Sequence, residues 1–151
     1  MLRTRLSDAL KIAMKGKDGR SVSTLRLILA ALKDRDIAAR GKGNQDGVSD
    51  DEVLGLLQSM IKQRRESIGF YEQGGRMELA QGEAEEISVI EKFLPEQMSE
   101  EEMATVITGV VGEVGAKSLK DMGKVMTALK DQFPGQMDFA KASAMVKERL
   151  S

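Results

Sequence analysis

Cysteine, histidine and tryptophan are absent from this 151-residue chain, proline occurs twice, and aromatic residues make up 3% of it. Without thiols or imidazoles there are no disulfides, no thiolate nucleophile, no zinc site of the usual ligand types and no histidine acid–base catalysis. The few aromatics leave little to stack on unpaired bases, which argues against single-strand binding of the stacking kind. No apolar run approaches the length that spans a bilayer, and Arg3, Arg5, Asp8 and Lys11 interrupt any signal-peptide core. The expectation is a protein without a membrane segment, cytoplasmic in location.

What is present is charge, at 31% of residues, and aliphatic side chains and methionine within a 41% hydrophobic content. That composition suits one compact domain or two small ones. The net charge of -1 conceals an asymmetry. Before residue 43, Arg3, Arg5, Lys11, Lys15, Lys17, Arg20, Arg26, Lys33, Arg35, Arg40 and Lys42 face only Asp8, Asp18, Asp34 and Asp36. Between Met77 and Met103 glutamates dominate, with Lys92 the single cation. Opposed blocks of this kind pair with each other inside one molecule more often than with an external polyanion.

Every periodic segment has the helical period. Leu6, Leu10 and Ala13 mark a first helix, broken at Gly16 to Gly19; Val22, Leu25, Ile28, Leu29 and Leu32 mark a second, with Ser21 as its expected cap. Ser49 and Glu52 form a capping-box pattern that opens a third, striped by Leu54, Leu57, Ile61 and Ile68 and closed at Gly74-Gly75. Met77, Ala80, Ala84, Ile87 and Ile90 stripe a fourth. Leu94-Pro95 stops it, because proline lacks the amide that would continue the ladder. A boundary is expected here, dividing the chain into residues 1–94 and 95–151. Ser99-Glu100-Glu101-Glu102 is a second capping-box pattern, opening a fifth helix through Met103, Val106, Ile107, Val110 and Val114, ended by Gly115. Ser118 opens a sixth with Leu119, Met122, Met126 and Leu129 on its buried side. Asp138 caps a seventh, lined by Phe139, Ala142, Val146 and Leu150. The fold class is all-α, about seven helices in two lobes, four in the first and three in the second.

The runs KQRRES, FYEQGGR followed by LAQGEAEE, IEKFLPEQMSEEEM and GAKSLKDMGKVM resemble the motifs of the YqeY-like family across nearly the whole chain. The last run also resembles the tail domain of the GatB subunit of tRNA-dependent amidotransferases, which use glutamine as amide donor. The resemblance implies a helical N-terminal domain joined to a small helical unit of the kind that touches tRNA. The segment GQMDFAKASAM departs from the family pattern, so contacts of the final helix transfer least safely.

On the sixth helix Lys120 and Lys124 lie one turn apart beside Gly123, with Lys117 just before, on a face opposite the apolar stripe. Glycine there costs about 1 kcal/mol of helix stability relative to alanine and leaves a smooth backbone patch between the lysines, open to the approach of something large. Close packing by a loop or helix of the chain and contact with an RNA backbone are equal readings. Arg64 falls along the apolar stripe of the third helix and needs a partner, which Glu83, Glu86 or Glu91 can supply. A structural ion pair is the preferred role.

The carboxylate clusters at Asp50-Asp51-Glu52 and Glu100-Glu101-Glu102 sit in first helical turns, where the helix dipole favours them, so no metal site is assigned. Gly74-Gly75 follows a helix and lacks the Lys-Ser/Thr of a P-loop. Lys117, Ser118 and Lys120 do not make a Ser–Lys hydrolase without a nucleophile turn. No catalytic residue and no cofactor are assigned. The expected function is a non-catalytic tRNA-binding or tRNA-metabolism accessory, not an enzyme by itself, with tRNA and an amidotransferase or other translation-related protein as partners. The alternatives are a component of a carbon–nitrogen ligase with glutamine as amido donor, and a protein-interaction module.

Overall fold

The computed structural model describes residues 1–151 and is all-α. Its helices are α1 (Leu2–Lys15), α2 (Gly19–Gly41), α3 (Asp50–Gln73), α4 (Met77–Glu91), α5 (Glu100–Val114), α6 (Met122–Gln132) and α7 (Phe139–Leu150), with a 3-10 turn, Leu119–Asp121, before α6. The chain divides into two compact units, Met1–Leu94 and Pro95–Ser151. No helix is long and apolar enough to cross a membrane.

In the first unit, Leu6, Leu25, Ile28, Val53, Leu57 and Ile90 are buried in one core. Ser49 and Glu52 complete the capping box at the start of α3, each side chain meeting the other's backbone amide. The cap of α2 is Asp18 rather than the expected Ser21: the Asp18 carboxylate accepts from the Ser21 amide at 3.2 Å and from its hydroxyl at 2.7 Å. A carboxylate caps as well as a hydroxyl, and it also carries the charge that the helix dipole favours. Met77, expected on the stripe of α4, is exposed, since it is the first residue of that helix.

In the turn between α1 and α2 the left-handed residue is not a glycine. The left-handed residue is Lys17, at φ 56°, while Gly16 stays right-handed at φ -80°. The Asp18 amide bonds the Ala13 carbonyl at 3.0 Å and the Lys17 amide bonds that of Met14 at 3.3 Å, which is the Schellman pattern. Its two hydrogen bonds offset the strain of a left-handed lysine.

Arg3 and Asp36 form an ion pair that ties α1 to α2. Arg3 Nη2 also donates to the Val48 carbonyl at 2.6 Å, and the Val48 amide donates to Asp36 Oδ1 at 3.0 Å. The guanidinium, helped by the Val48 amide and against the cost of burial, holds the Asp36 carboxyl down at about 2. Gly47 sits against this carboxylate at φ 79°, where a Cβ would come within 2.4 Å of Asp36 Oδ1. Both the dihedral and the space require glycine.

In the second unit, Met103, Ile107, Val110, Val125, Leu129, Met137, Ala142 and Val146 are buried together. Ser99 accepts from the Glu102 amide at 3.1 Å at the start of α5, but the Glu102 carboxylate accepts from the Ser99 hydroxyl at 3.2 Å and not from its amide, so the expected capping box closes on one side only. Gly115 ends α5 at φ 66°, a left-handed turn open to glycine at no steric cost. Asp138 accepts from the amides of Ala140 and Lys141 at 3.0 and 3.3 Å and so caps α7. An ion pair between Lys141 and Glu100 joins α7 to α5.

A lysine face around Gly123

The segment after α5 builds the candidate site from its polar side. The Asp121 carboxylate turns back and accepts from the Lys117 amide at 2.9 Å. That closure tightens residues 119–121 into a 3-10 turn, so α6 starts at Met122 and not at Ser118, whose hydroxyl makes no capping bond. One consequence corrects the sequence expectation: Leu119, assigned to the buried side, is 47% exposed, and Val125 takes its place in the core beside Leu129. Met122 and Met126 are half-buried as the stripe requires.

Lys120 lies in that 3-10 turn and not on α6 with Lys124 as expected, yet Lys117, Lys120, Gly123, Lys124 and Thr127 are all exposed. Lys117 and Lys120 make no ion pair, and Lys124 Nζ lies 4.0 Å from Asp121 Oδ1 with its side chain 72% exposed. A pair at that distance and exposure contributes close to nothing, so the lysines stay free to meet another anion. The Asp121 carboxyl is held below the usual range, first by the Lys117 amide, against an opposing desolvation, and further by the Ser118 amide and the Lys124 charge. Asp121 therefore stays ionised and keeps the turn closed at neutral pH.

Beyond its own helical turn, a Cβ placed on Gly123 would meet no heavy atom within 4 Å. No loop or helix of this chain uses the bare backbone for close packing. A shallow depression of about 530 Å³ opens instead at this point, lined by Val114, Gly123, Lys124, Thr127, Ala128 and Asp131. Val114, Gly123 and Ala128 give the lining its apolar part, and Lys124, Thr127 and Asp131 add a cation, a hydroxyl and a carboxylate.

Arg64 lies elsewhere, in the first unit. Its Nε is 2.9 Å from Glu86 Oε2 and its Nη1 donates to the Met60 carbonyl at 3.1 Å, with the side chain 12% exposed. Glu86, one of three glutamates expected to serve, is 17% exposed and also faces Arg20 Nη1 at 3.6 Å. Arg20 Nε reaches Glu85 at 3.2 Å, so one carboxylate pair links α2, α3 and α4.

Sequence reasoning missed the Arg3–Asp36–Val48 arrangement. Two charges 33 residues apart on separate helices leave no periodic signal. The one hint was an aspartate at a position where the stripe of α2 runs inward.

The chain matches the family described as Yqey-like protein over residues 3–150. It is similar to Altered inheritance of mitochondria protein 41, mitochondrial, of Lachancea thermotolerans, with 28% identity over 151 residues, 96% of this chain and 76% of the relative. The relative of the same name in Kluyveromyces lactis is 31% identical over 105 residues, 68% of this chain and 55% of its own length. An uncharacterized protein of Schizosaccharomyces pombe is 29% identical over 99 residues, 66% of this chain and 73% of its length. These names correct the expectation of a cytoplasmic protein, because the named relatives are mitochondrial. Lack of an apolar core separates membrane segments from soluble ones but does not tell one aqueous compartment from another. With all but its terminal residues matched, the chain belongs to the YqeY-like family.

Proposed function

We propose that the protein is a non-catalytic tRNA-binding accessory whose contact runs over Lys117, Lys120, Gly123 and Lys124. The observation that carries this reading is the open space in front of Gly123, flanked by lysines that no carboxylate holds closely. A phosphate backbone fits that combination: it needs cations free to release condensed counterions and a backbone without a Cβ in the way. The likeness of GAKSLKDMGKVM to the amidotransferase tail domain supports tRNA over other polyanions. Under this reading Asp121 is a positioning residue, since its bond to the Lys117 amide fixes the turn that presents Lys117 and Lys120.

The test is a titration of structured tRNA against the parent and a Lys120→Glu/Lys124→Glu variant at two salt concentrations. The variant should stay folded, because both side chains are exposed. Its affinity should fall, and the slope of its log affinity against log salt should flatten by about 0.7–0.9 for each phosphate that is no longer neutralised. No binding by the parent at low salt, or equal binding by both proteins, removes the proposal. A role within a glutamine-dependent carbon–nitrogen ligase is the reading that follows if the parent co-purifies with ATP- and glutamine-dependent transamidation.

A further inference from the structure

The basic block before residue 43 is not neutralised by the acidic block after it. Four of the five carboxylates of α4, all but Glu83, are taken by Arg20, Arg64, Arg65 and Arg76. Arg3 is committed to Asp36, and Arg5 lies 5.6 Å from the Phe93 ring and donates to the Lys92 carbonyl at 3.2 Å. Of the N-terminal cations only Arg20 reaches the glutamates. Those left over include Arg26, Lys33 and Arg40 of α2, all exposed and none in an ion pair. Arg40 makes a single long hydrogen bond, 3.4 Å, to the Gln45 carbonyl.

These three recur every seven residues. Seven residues turn a helix through about 700°, some 20° short of two turns, so the three form one ridge with neighbours about 10.5 Å apart. Between them the ridge carries Ala30 and Ile37, both exposed, and no carboxylate. Asp36, the nearest acid in phase, is turned inward to Arg3.

We infer that the Arg26–Lys33–Arg40 ridge of α2 is a second contact surface for the phosphate backbone of structured RNA. It rests on the tRNA reading above and extends it to the first unit. The ridge spans about 21 Å, and a free phosphate or a mononucleotide would engage one cation at a time. Only a polyanion with charge spread along a rigid path satisfies all three, and a folded RNA supplies that. A membrane-binding helix would need a bulky apolar face beside its cations, and Ile37 is the one large apolar side chain on this ridge.

The experiment uses full-length variants in which equal charge is removed: Arg26→Gln/Lys33→Gln on the ridge, and Arg35→Gln/Lys42→Gln off it. Arg35 lies about 180° around α2 from Arg26. Each is titrated with structured tRNA at two salt concentrations, beside the Lys120→Glu/Lys124→Glu variant, and with vesicles containing phosphatidylserine; circular dichroism checks the fold. The ridge variant should bind tRNA about tenfold more weakly at low salt, with a salt slope reduced by roughly 1.5, while the off-ridge variant keeps most of the parent's affinity. Equal weakening in both would mean that net charge alone matters, and would overturn the ridge. Unchanged tRNA binding by the ridge variant, with Lys120→Glu/Lys124→Glu impaired, overturns the ridge and leaves the lysine face standing. Loss of vesicle binding without loss of tRNA binding overturns it in favour of a membrane contact. A parent that binds no tRNA overturns both.

Discussion

Replacing Gly123 with alanine separates a glycine kept for the fold from one kept for a ligand. The added methyl group would meet nothing of this chain within 4 Å beyond its own helical turn, so it has no steric cost in the free protein. Gly123 is the second residue of α6, and alanine is better than glycine in a helix by up to about 1 kcal/mol, less near the end than in the middle. In a unit of this size a gain of that order raises the melting temperature by roughly 4 °C or less if it is half realised. If the bare backbone is where an RNA phosphate path approaches, the same methyl group holds the path away from Lys120 and Lys124. Affinity should then fall about tenfold, which corresponds to about 1.4 kcal/mol. The assay pairs a thermal melt with a tRNA titration of parent and variant. A lower melting temperature would show that the methyl group is strained in the free protein; unchanged affinity with a stable fold would show that nothing approaches Gly123.

The first unit offers three further tests. Arg64→Ala leaves Glu86 with only the longer contact to Arg20, so denaturant unfolding should show a destabilisation of about 2 kcal/mol, below the 3–5 kcal/mol of a fully buried pair. Binding to tRNA by the folded fraction should be unchanged. Asp36 has its folded pKa lowered to about 2, so its contribution to stability is complete above about pH 4 and drains away as pH falls through 2. The size is on the order of 1–2 kcal/mol, given that Arg3 is partly wet, and Asp36→Asn should remove this part of the acid dependence in pH-resolved melts. Gly47→Ala should cost more than about 2 kcal/mol by denaturant unfolding, because the new Cβ strikes the Asp36 carboxylate at a dihedral that disfavours alanine. A smaller effect would mean that residues 43–48 relax freely around the ion pair.

The elements legible in the sequence are those set by local chemistry. The Ser49–Glu52 box, the Asp138 cap and the glycine that ends α5 each depend on residues within one or two turns, and each has the expected form. What escapes depends on distant or competing partners. Asp18 displaces Ser21 as a cap because it lies one residue before the helix and satisfies two groups of Ser21 at once. Counting back along a single helix puts Leu119 in the core, but the Asp121–Lys117 bond replaces that helix with a tighter turn of different phase. In the sequence Arg3 is one of many cations, and only the fold shows it spent on Asp36. At Gly123 the sequence leaves two readings open, and the open space in front of it, which Gly109 and Gly112 of α5 share, speaks against a packing partner within the chain.

Whether tRNA lies across Lys117, Lys120 and Lys124 is decided by locating the contact itself. Ultraviolet crosslinking of the full-length protein to structured tRNA, followed by mass spectrometry of the linked peptides, should find adducts concentrated between Lys117 and Thr127. Adducts on α2 around Arg26 to Arg40 should accompany them. Crosslinks scattered over the surface, or absent from residues 117–127 while tRNA is bound elsewhere, would contradict a tRNA path over Gly123.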